Sequence, residues 1–216
     1  MSVSSETMLI DRLTRIESYR RAFIDLFGTT SMSTVSKALS VYIRSLVTPN
    51  SPFDRYIRGD KQALNEKQIR GMDLFREVEC LACHFGINFS GPVPGPVLKM
   101  GDGFYELFPI FRAESIIKQL GFKQDKGRYH ISGDRSHQWM WRVPGLRNIV
   151  RTAPYFHNGR ASNLHDAIKL MAAGQRDMDL TEEQIDLIME FLNSLTGEFP
   201  QQEAPMLPPG NNFSIQ

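Results

Sequence analysis

Cys80-Leu81-Ala82-Cys83-His84 contains both cysteines of the 216-residue chain. The spacing C-x-x-C-H is the attachment signature of c-type haem. Two thiols three residues apart add across the two vinyl groups of one porphyrin. The histidine beside the second thiol then lies under the iron and ligates it. Half of a zinc site would need a second Cys/His pair at finger spacing, and none follows. A thioredoxin-like redox pair would need a strand leading into it and a βαβ context, and that pattern is missing. Chance pairing of two buried cysteines is the bland alternative. The expected cofactor is therefore one covalently bound haem c, anchored by Cys80 and Cys83 and ligated by His84.

The surrounding chain reads as mainly helical. A hydrophobic fraction of 41% is enough for a real core, and a net charge of +1 argues against a nucleic-acid surface. No apolar run approaches the length of a membrane span. Ser33 can cap a helix whose inward stripe is Val35, Ala38, Leu39, Tyr42, Ile43 and Leu46, stopped by Thr48-Pro49-Asn50-Ser51-Pro52. Asn65 can cap a second helix, with Ile69, Met72, Phe75 and Val78 inward, that delivers the chain to Cys80. Gly91-Pro92-Val93-Pro94-Gly95-Pro96 can be neither helix nor central strand, and reads as a loop over haem edge and core. Short strands are expected near Tyr129–Ile131 and Gln138–Arg142. Asn163 can cap a helix facing inward through Leu164, Ala167, Ile168 and Met171. Thr181-Glu182-Glu183-Gln184 is a capping box for a last helix, facing inward through Ile185, Ile188, Met189, Leu192 and Leu195. The expected fold is mainly α: a cytochrome c-like haem domain with long irregular loops and at most minor strands. It is read as a single haem domain over 1–216, with N-terminal helices and linker in 1–64, the haem core in 65–199 and an extended tail in 200–216.

With His84 on one side, the iron has one axial position left. An open position means chemistry with peroxide or small gases, and a filled one means electron transfer. A methionine thioether favours ferrous iron and raises the potential. Met171, on an inward helical stripe, is a candidate, although methionine at helical spacing is ordinarily core filler. Met140, between Trp139 and Trp141, and Met100, in a glycine-flanked loop, are the others. His130, His137 and His165 sit among polar residues and read as solvated or capping.

The segment Arg142-Val143-Pro144-Gly145-Leu146-Arg147-Asn148-Ile149-Val150-Arg151-Thr152-Ala153-Pro154-Tyr155-Phe156-His157-Asn158-Gly159 resembles the most recognisable stretch of the bacterial di-haem cytochrome c peroxidases. Leu46 to Asp54, Cys83 to Asn88, Asp125-Lys126-Gly127-Arg128 and Leu192 to Gly197 resemble that family in the same order. The resemblance spans nearly the whole chain, but only the family's C-terminal half, which carries the high-potential haem. It implies Met171 as the axial methionine. A related branch that matures tryptophylquinone cofactors has a tyrosine there. The resemblance further implies calcium bound by the backbone carbonyls of Thr152 and Pro154, and an inter-haem role for His157. Arg128 is a candidate partner for a haem propionate by Arg–carboxylate geometry, and an ordinary ion pair is the bland reading for Arg128 and Arg147.

The same resemblance implies a small electron donor, a cytochrome c or cupredoxin, and a partner domain or subunit holding the peroxidatic haem. That second haem needs its own C-x-x-C-H, for which no cysteine remains. The chain would then be a fragment, one product of a split gene, or a natural single-haem protein. The alternative function is a stand-alone mono-haem carrier or a cytochrome subunit of a larger complex. Homodimers are common in the family. The implied location is periplasmic, because haem c is attached outside the cytoplasmic membrane, although residues 1–12 show no signal peptide.

Overall fold

The computed structural model describes residues 5–92, 103–122, 125–203 and 206. The chain divides into two units, Met1–Thr48 with Phe199–Gln216, and Pro49–Glu198. The boundary between them falls at Thr48/Pro49.

The first unit holds α1 (Glu6–Arg15), α2 (Glu17–Phe27) and α3 (Met32–Ser45). Ser31, not Ser33, caps α3: its Oγ accepts from the Thr34 amide, and Thr34 Oγ1 accepts from the Ser31 amide. Of the expected inward stripe on α3, Val35 is buried, while Leu39, Tyr42, Ile43 and Leu46 are exposed. The Gln202 side chain donates to the Ser45 carbonyl and hydroxyl, which fastens the chain after Phe199 to the end of α3.

The second unit contains α4 (Pro52–Ile57), α5 (Glu66–Glu77), a 3-10 turn at Cys80–Ala82, β1 (Tyr105–Leu107), α6 (Ala113–Leu120), α7 (Tyr129–Ser132), β2 (Met140–Arg142), α8 (Leu164–Arg176) and α9 (Glu182–Ser194). The architecture is mainly α, as expected of a cytochrome c-like haem domain. β1 and β2 form an antiparallel pair with Tyr105 opposite Arg142 and Leu107 opposite Met140. The expected strand near Tyr129–Ile131 is instead the short helix α7, closed by amide bonds from Ser132 to Arg128 and from Gly133 to Tyr129. Of the proline-rich loop, only Gly91 and Pro92 are described; Val93 to Pro96 lie outside the described residues, as does Met100.

Capping boxes set where α5 and α9 begin. Asn65 and Gln68 exchange side-chain and backbone bonds at the start of α5, and Thr181 and Gln184 do so at α9. The two helices then cross at Gly71. A Cβ there would overlap the Leu187 carbonyl, so only glycine permits this approach. The crossing buries Phe75 on α5 and Ile185, Ile188, Phe191 and Leu192 on α9. Phe191 is the hub: its ring lies 5.3 Å from Phe75, 5.8 Å from Phe53 and 6.0 Å from Phe89, so α4, α5, α9 and the loop after His84 share one aromatic cluster.

Gly71→Ala is expected to lower unfolding stability by about 1–3 kcal/mol, the cost of overpacking a closed contact. Chemical denaturation of the two proteins measures this, and an unchanged midpoint would contradict the crossing.

Candidate haem-attachment site

The attachment motif follows α5 without a break in the packing. Val78 ends the helix and is buried, and Glu79 takes a left-handed conformation (φ 59°) that turns the chain. The next three residues form the 3-10 turn, with the His84 amide bonded to the Cys80 carbonyl at 3.0 Å. A 3-10 turn repeats every three residues, which brings Cys80 and Cys83 to the same side. Both thiols are free and half-buried. Burial, and secondly Cys83, push the Cys80 thiol up to about 12; burial and the nearby Glu106 push Cys83 up as well. Neither has the lowered pKa of a reactive redox cysteine.

His84 is oriented by its backbone surroundings. Its Nδ1 lies 3.0 Å from the Phe89 carbonyl, with the Pro144 carbonyl also bearing on the ring. A carbonyl can only accept, so Nδ1 carries the proton and Nε2 keeps its lone pair. Burial lowers the His84 pKa, against a raising effect of those carbonyls, which favours the neutral ring that metal ligation needs. Two thiols on one side of a turn and a buried imidazole whose pKa is lowered towards the neutral form fit a c-type haem.

The segment from Pro144 to Asn148 holds the loop that carries His84. The Leu146 amide donates to the Asn88 carbonyl, and Arg147 Nε donates to the Ile87 carbonyl at 2.7 Å. The other end of the Arg147 guanidinium is bidentate to Asp54, at 2.7 and 3.1 Å, and also reaches Ser51. The ordinary ion-pair reading of Arg147 is therefore the observed one, with a carbonyl of the His84 loop added to it. The Asn148 amide and side chain bond to Leu195 and Gly197, which ties the same segment to the end of α9.

Met171 sits on α8, partly buried against the core. Arg176, in the last turn of α8, pairs with Glu79, the residue before Cys80. Met171 is five residues, about 7.5 Å of helix, from that tether. Met140 lies in β2 and is half-buried. Arg128 stacks its guanidinium 4.1 Å over the Tyr105 ring. Thr152 and Pro154 are exposed, after the 3-10 turn Ile149–Arg151. His157 stacks on Trp141, with centroids 4.0 Å apart at 18°, and its Nε2 is 2.9 Å from Asp125. His130 takes the Lys126 amide, His137 lies 2.9 Å from Ser132, and His165 pairs with Glu182 at 2.6 Å. Among the described residues no three His, Cys, Asp or Glu side chains converge as a metal site, and no helix is long and apolar enough to cross a membrane.

Sequence reasoning did not find the Phe89 carbonyl, Asp54, Glu79 or Asp125. A backbone carbonyl carries no residue signature. The three acids are ordinary surface types whose partners lie 93, 97 and 32 residues away.

A family profile described as di-haem cytochrome c peroxidase matches residues 1–62. Cytochrome c551 peroxidase of Pseudomonas aeruginosa is 33% identical over 193 residues, covering 89% of this chain and 52% of that protein. Its namesake from Nitrosomonas europaea is 32% identical over 196 residues, covering 90% and 54%. The chain belongs to the di-haem cytochrome c peroxidase family. It spans about half the length of these relatives. A crystal structure of a MauG-like protein associated with microbial copper homeostasis superposes with a TM-score of 0.74 at 25% identity, over 91% of this chain and 63% of that one.

The Asp54–Arg147 pair gives a pH signature. Burial opposes ionisation of Asp54, but hydrogen bonds from Arg147 and Ser51 outweigh it and hold the carboxyl below its ordinary value. A depressed folded pKa contributes stability above the unfolded value of about 3.9, and loses it as pH falls through the lower folded value. Arg147→Ala is expected to cost about 2–3 kcal/mol at neutral pH. That difference should shrink as pH falls through the lowered folded value of Asp54, where the carboxyl becomes neutral. Denaturation midpoints across pH 2–7 check it, and a pH-independent difference would refute the pairing as its source.

Proposed function

We propose that this chain is the electron-entry module of a di-haem cytochrome c peroxidase. It takes electrons from a small donor protein, a cytochrome c or cupredoxin, and relays them to a peroxidatic haem domain or subunit that reduces hydrogen peroxide to water. The observation that carries this reading is one C-x-x-C-H turn, with His84 Nδ1 held at the Phe89 carbonyl, in a chain with no cysteine for a second haem.

Cys80 and Cys83 become the two thioether anchors. His84 offers Nε2 to the iron, while the Phe89 carbonyl holds Nδ1–H and keeps the ring from turning. A hydrogen bond on the far nitrogen also strengthens the ligating one as a donor. Met171, presented by α8, whose last turn is pinned by Arg176 beside the attachment turn, would supply a thioether to the haem iron. Bound haem c supplies a one-electron iron couple, and a His/Met axial pair raises its potential. Arg128, over Tyr105 and beside β2, is the proposed partner of a haem propionate. The backbone carbonyls of Thr152 and Pro154 supply hard oxygen ligands for calcium. His157, fixed by Asp125 and Trp141, takes the inter-haem role. Covalent haem c places the working protein in the periplasm, and homodimerisation follows family habit.

Purified from a host that matures cytochromes c, the chain is expected to bind one covalent haem, low-spin when oxidised and with a methionine–iron absorption band. Met171→Ala should abolish that band and turn the haem high-spin without lowering haem content. A high-spin wild type, or a band that survives the substitution, would remove Met171 as ligand. The isolated chain should accept electrons from a reduced small cytochrome yet not turn over peroxide with it. Robust turnover by the single-haem chain would overturn the electron-entry reading.

A further inference from the structure

The segment Leu107 to Phe111 straps the C-terminal half of α8. The Ile110 and Phe111 amides both donate to the Gly174 carbonyl at 2.8 Å. A Cβ at Gly174 would overlap the Phe108 ring, so the segment lies directly on the helix. Gln175 adds a side-chain strap, with its Nε2 donating to the Leu107 carbonyl at 3.0 Å. The anchor of that strap is itself held. Leu107 pairs with Met140 in the β ribbon, the Phe108 amide donates to the Trp139 carbonyl, and the Phe108 carbonyl accepts from Trp141 Nε1.

The other end of the Gln175 amide is unmatched. Its Oε1 is buried and accepts no hydrogen bond among the described residues. Desolvating an acceptor without a partner costs at least as much as one hydrogen bond returns. An apolar side chain of similar bulk would avoid that cost. Gln175 is therefore a poor choice for stability alone, and such choices concentrate at functional sites. Its place in α8 points to the function. It follows Met171 by four residues, one turn along the same face.

We infer that Gln175 is the positioning residue for Met171: its strap to the Leu107 carbonyl fixes the turn of α8 that presents the thioether. The bonds at Gly174 hold the helix at one point, and a helix held at one point can still roll about it. Arg112 grips Asp177 and Asp179, beyond the end of the helix. The Gln175 strap is a further point of attachment, on the Met171 face itself, and removes that roll. A ligand held in place by its neighbours binds more firmly than one that must be ordered first. This inference rests on the electron-entry reading, in which Met171 ligates the iron, and adds to it the residue that seats the ligand.

The test uses the full, haem-loaded chain, as wild type and with Gln175→Leu or Gln175→Glu. Leucine keeps most of the bulk and loses both polar ends. Glutamate keeps the shape and sets an oxygen against the Leu107 carbonyl. Imidazole titrated into the oxidised protein competes with Met171, so its apparent affinity reports how often the thioether is off the iron. Both variants are expected to bind imidazole about tenfold or more tighter than the wild type. Both should also lose the methionine–iron band at a lower temperature. Gln175→Leu should do so without lowering the denaturation midpoint, because it removes the buried unpaired acceptor together with the strap. Gln119→Leu, at an exposed position on α6, should change neither readout. Unchanged imidazole affinity in either Gln175 variant overturns the inference. So does an affinity that rises only in step with a lowered midpoint in Gln175→Leu, because the loosening is then global. A wild type without the methionine–iron band removes Met171 as ligand and this inference with it. A wild type that has the band but is indifferent to Gln175 removes this inference alone.

Discussion

The hydrogen bond from His84 Nδ1 to the Phe89 carbonyl is the constraint on which the site depends. An imidazole next to an attachment turn can swing about its χ angles, and either nitrogen can face a metal. One fixed acceptor removes that choice. The acceptor is itself fixed, because the Phe89 ring packs 5.3 Å from Phe53 and 6.0 Å from Phe191 in the aromatic cluster under α9. The backbone on either side is held too, by the Leu146 amide on Asn88 and by Arg147 on Ile87. The close α5–α9 crossing at Gly71 therefore acts on the ligand through two steps of packing. It seats Phe191, Phe191 seats Phe89, and the Phe89 carbonyl sets the tautomer of His84.

The ion pairs divide by what they position. Arg15–Asp11 and Arg20–Glu17 lie on exposed helix surface, where solvent screening leaves such pairs little to contribute. Arg147–Asp54 is different. Its side chains are 20% and 25% exposed, and it joins the capping box of α4 to the loop after His84. Arg176–Glu79 joins the end of α8 to the start of the attachment turn. Both sit at junctions between elements distant in sequence, so their main product is register. A buried pair is weak ground for net stability, but it penalises any arrangement that separates its members.

The legible part of this molecule is what local chemistry writes into a short window. C-x-x-C-H declares itself, Asn65, Asn163 and Thr181 cap the helices expected of them, and the apolar stripes of α5, α8 and α9 face inward. The illegible part depends on partners far away. β1 is three residues long and exists because Tyr105–Leu107 finds Met140–Arg142. α6 opens at Arg112 in a left-handed conformation with no side-chain cap, so it carries no entry signal. Tyr129–Ile131 has strand-like composition, yet Gly127 at φ 62° turns the chain into α7. His157 is recognisable by resemblance alone; its Asp125 partner and its stack on Trp141 come only with the fold.

α3 shows the converse case, where the pattern was read and the burial did not follow. Its period is helical and the helix forms, but an apolar stripe states only that something should cover it, not that the same chain will. The contrast with α9 makes the point. Both carry apolar residues at the same spacing, and α9 buries Ile185, Ile188, Leu192 and Leu195, whereas α3 leaves Leu39, Tyr42, Ile43 and Leu46 in solvent. Local sequence decides periodicity in each, while burial depends on facing elements that the stripe itself does not specify. Among the described residues α9 closes its stripe within the Pro49–Glu198 unit, whereas α1 and α2 bury no residue.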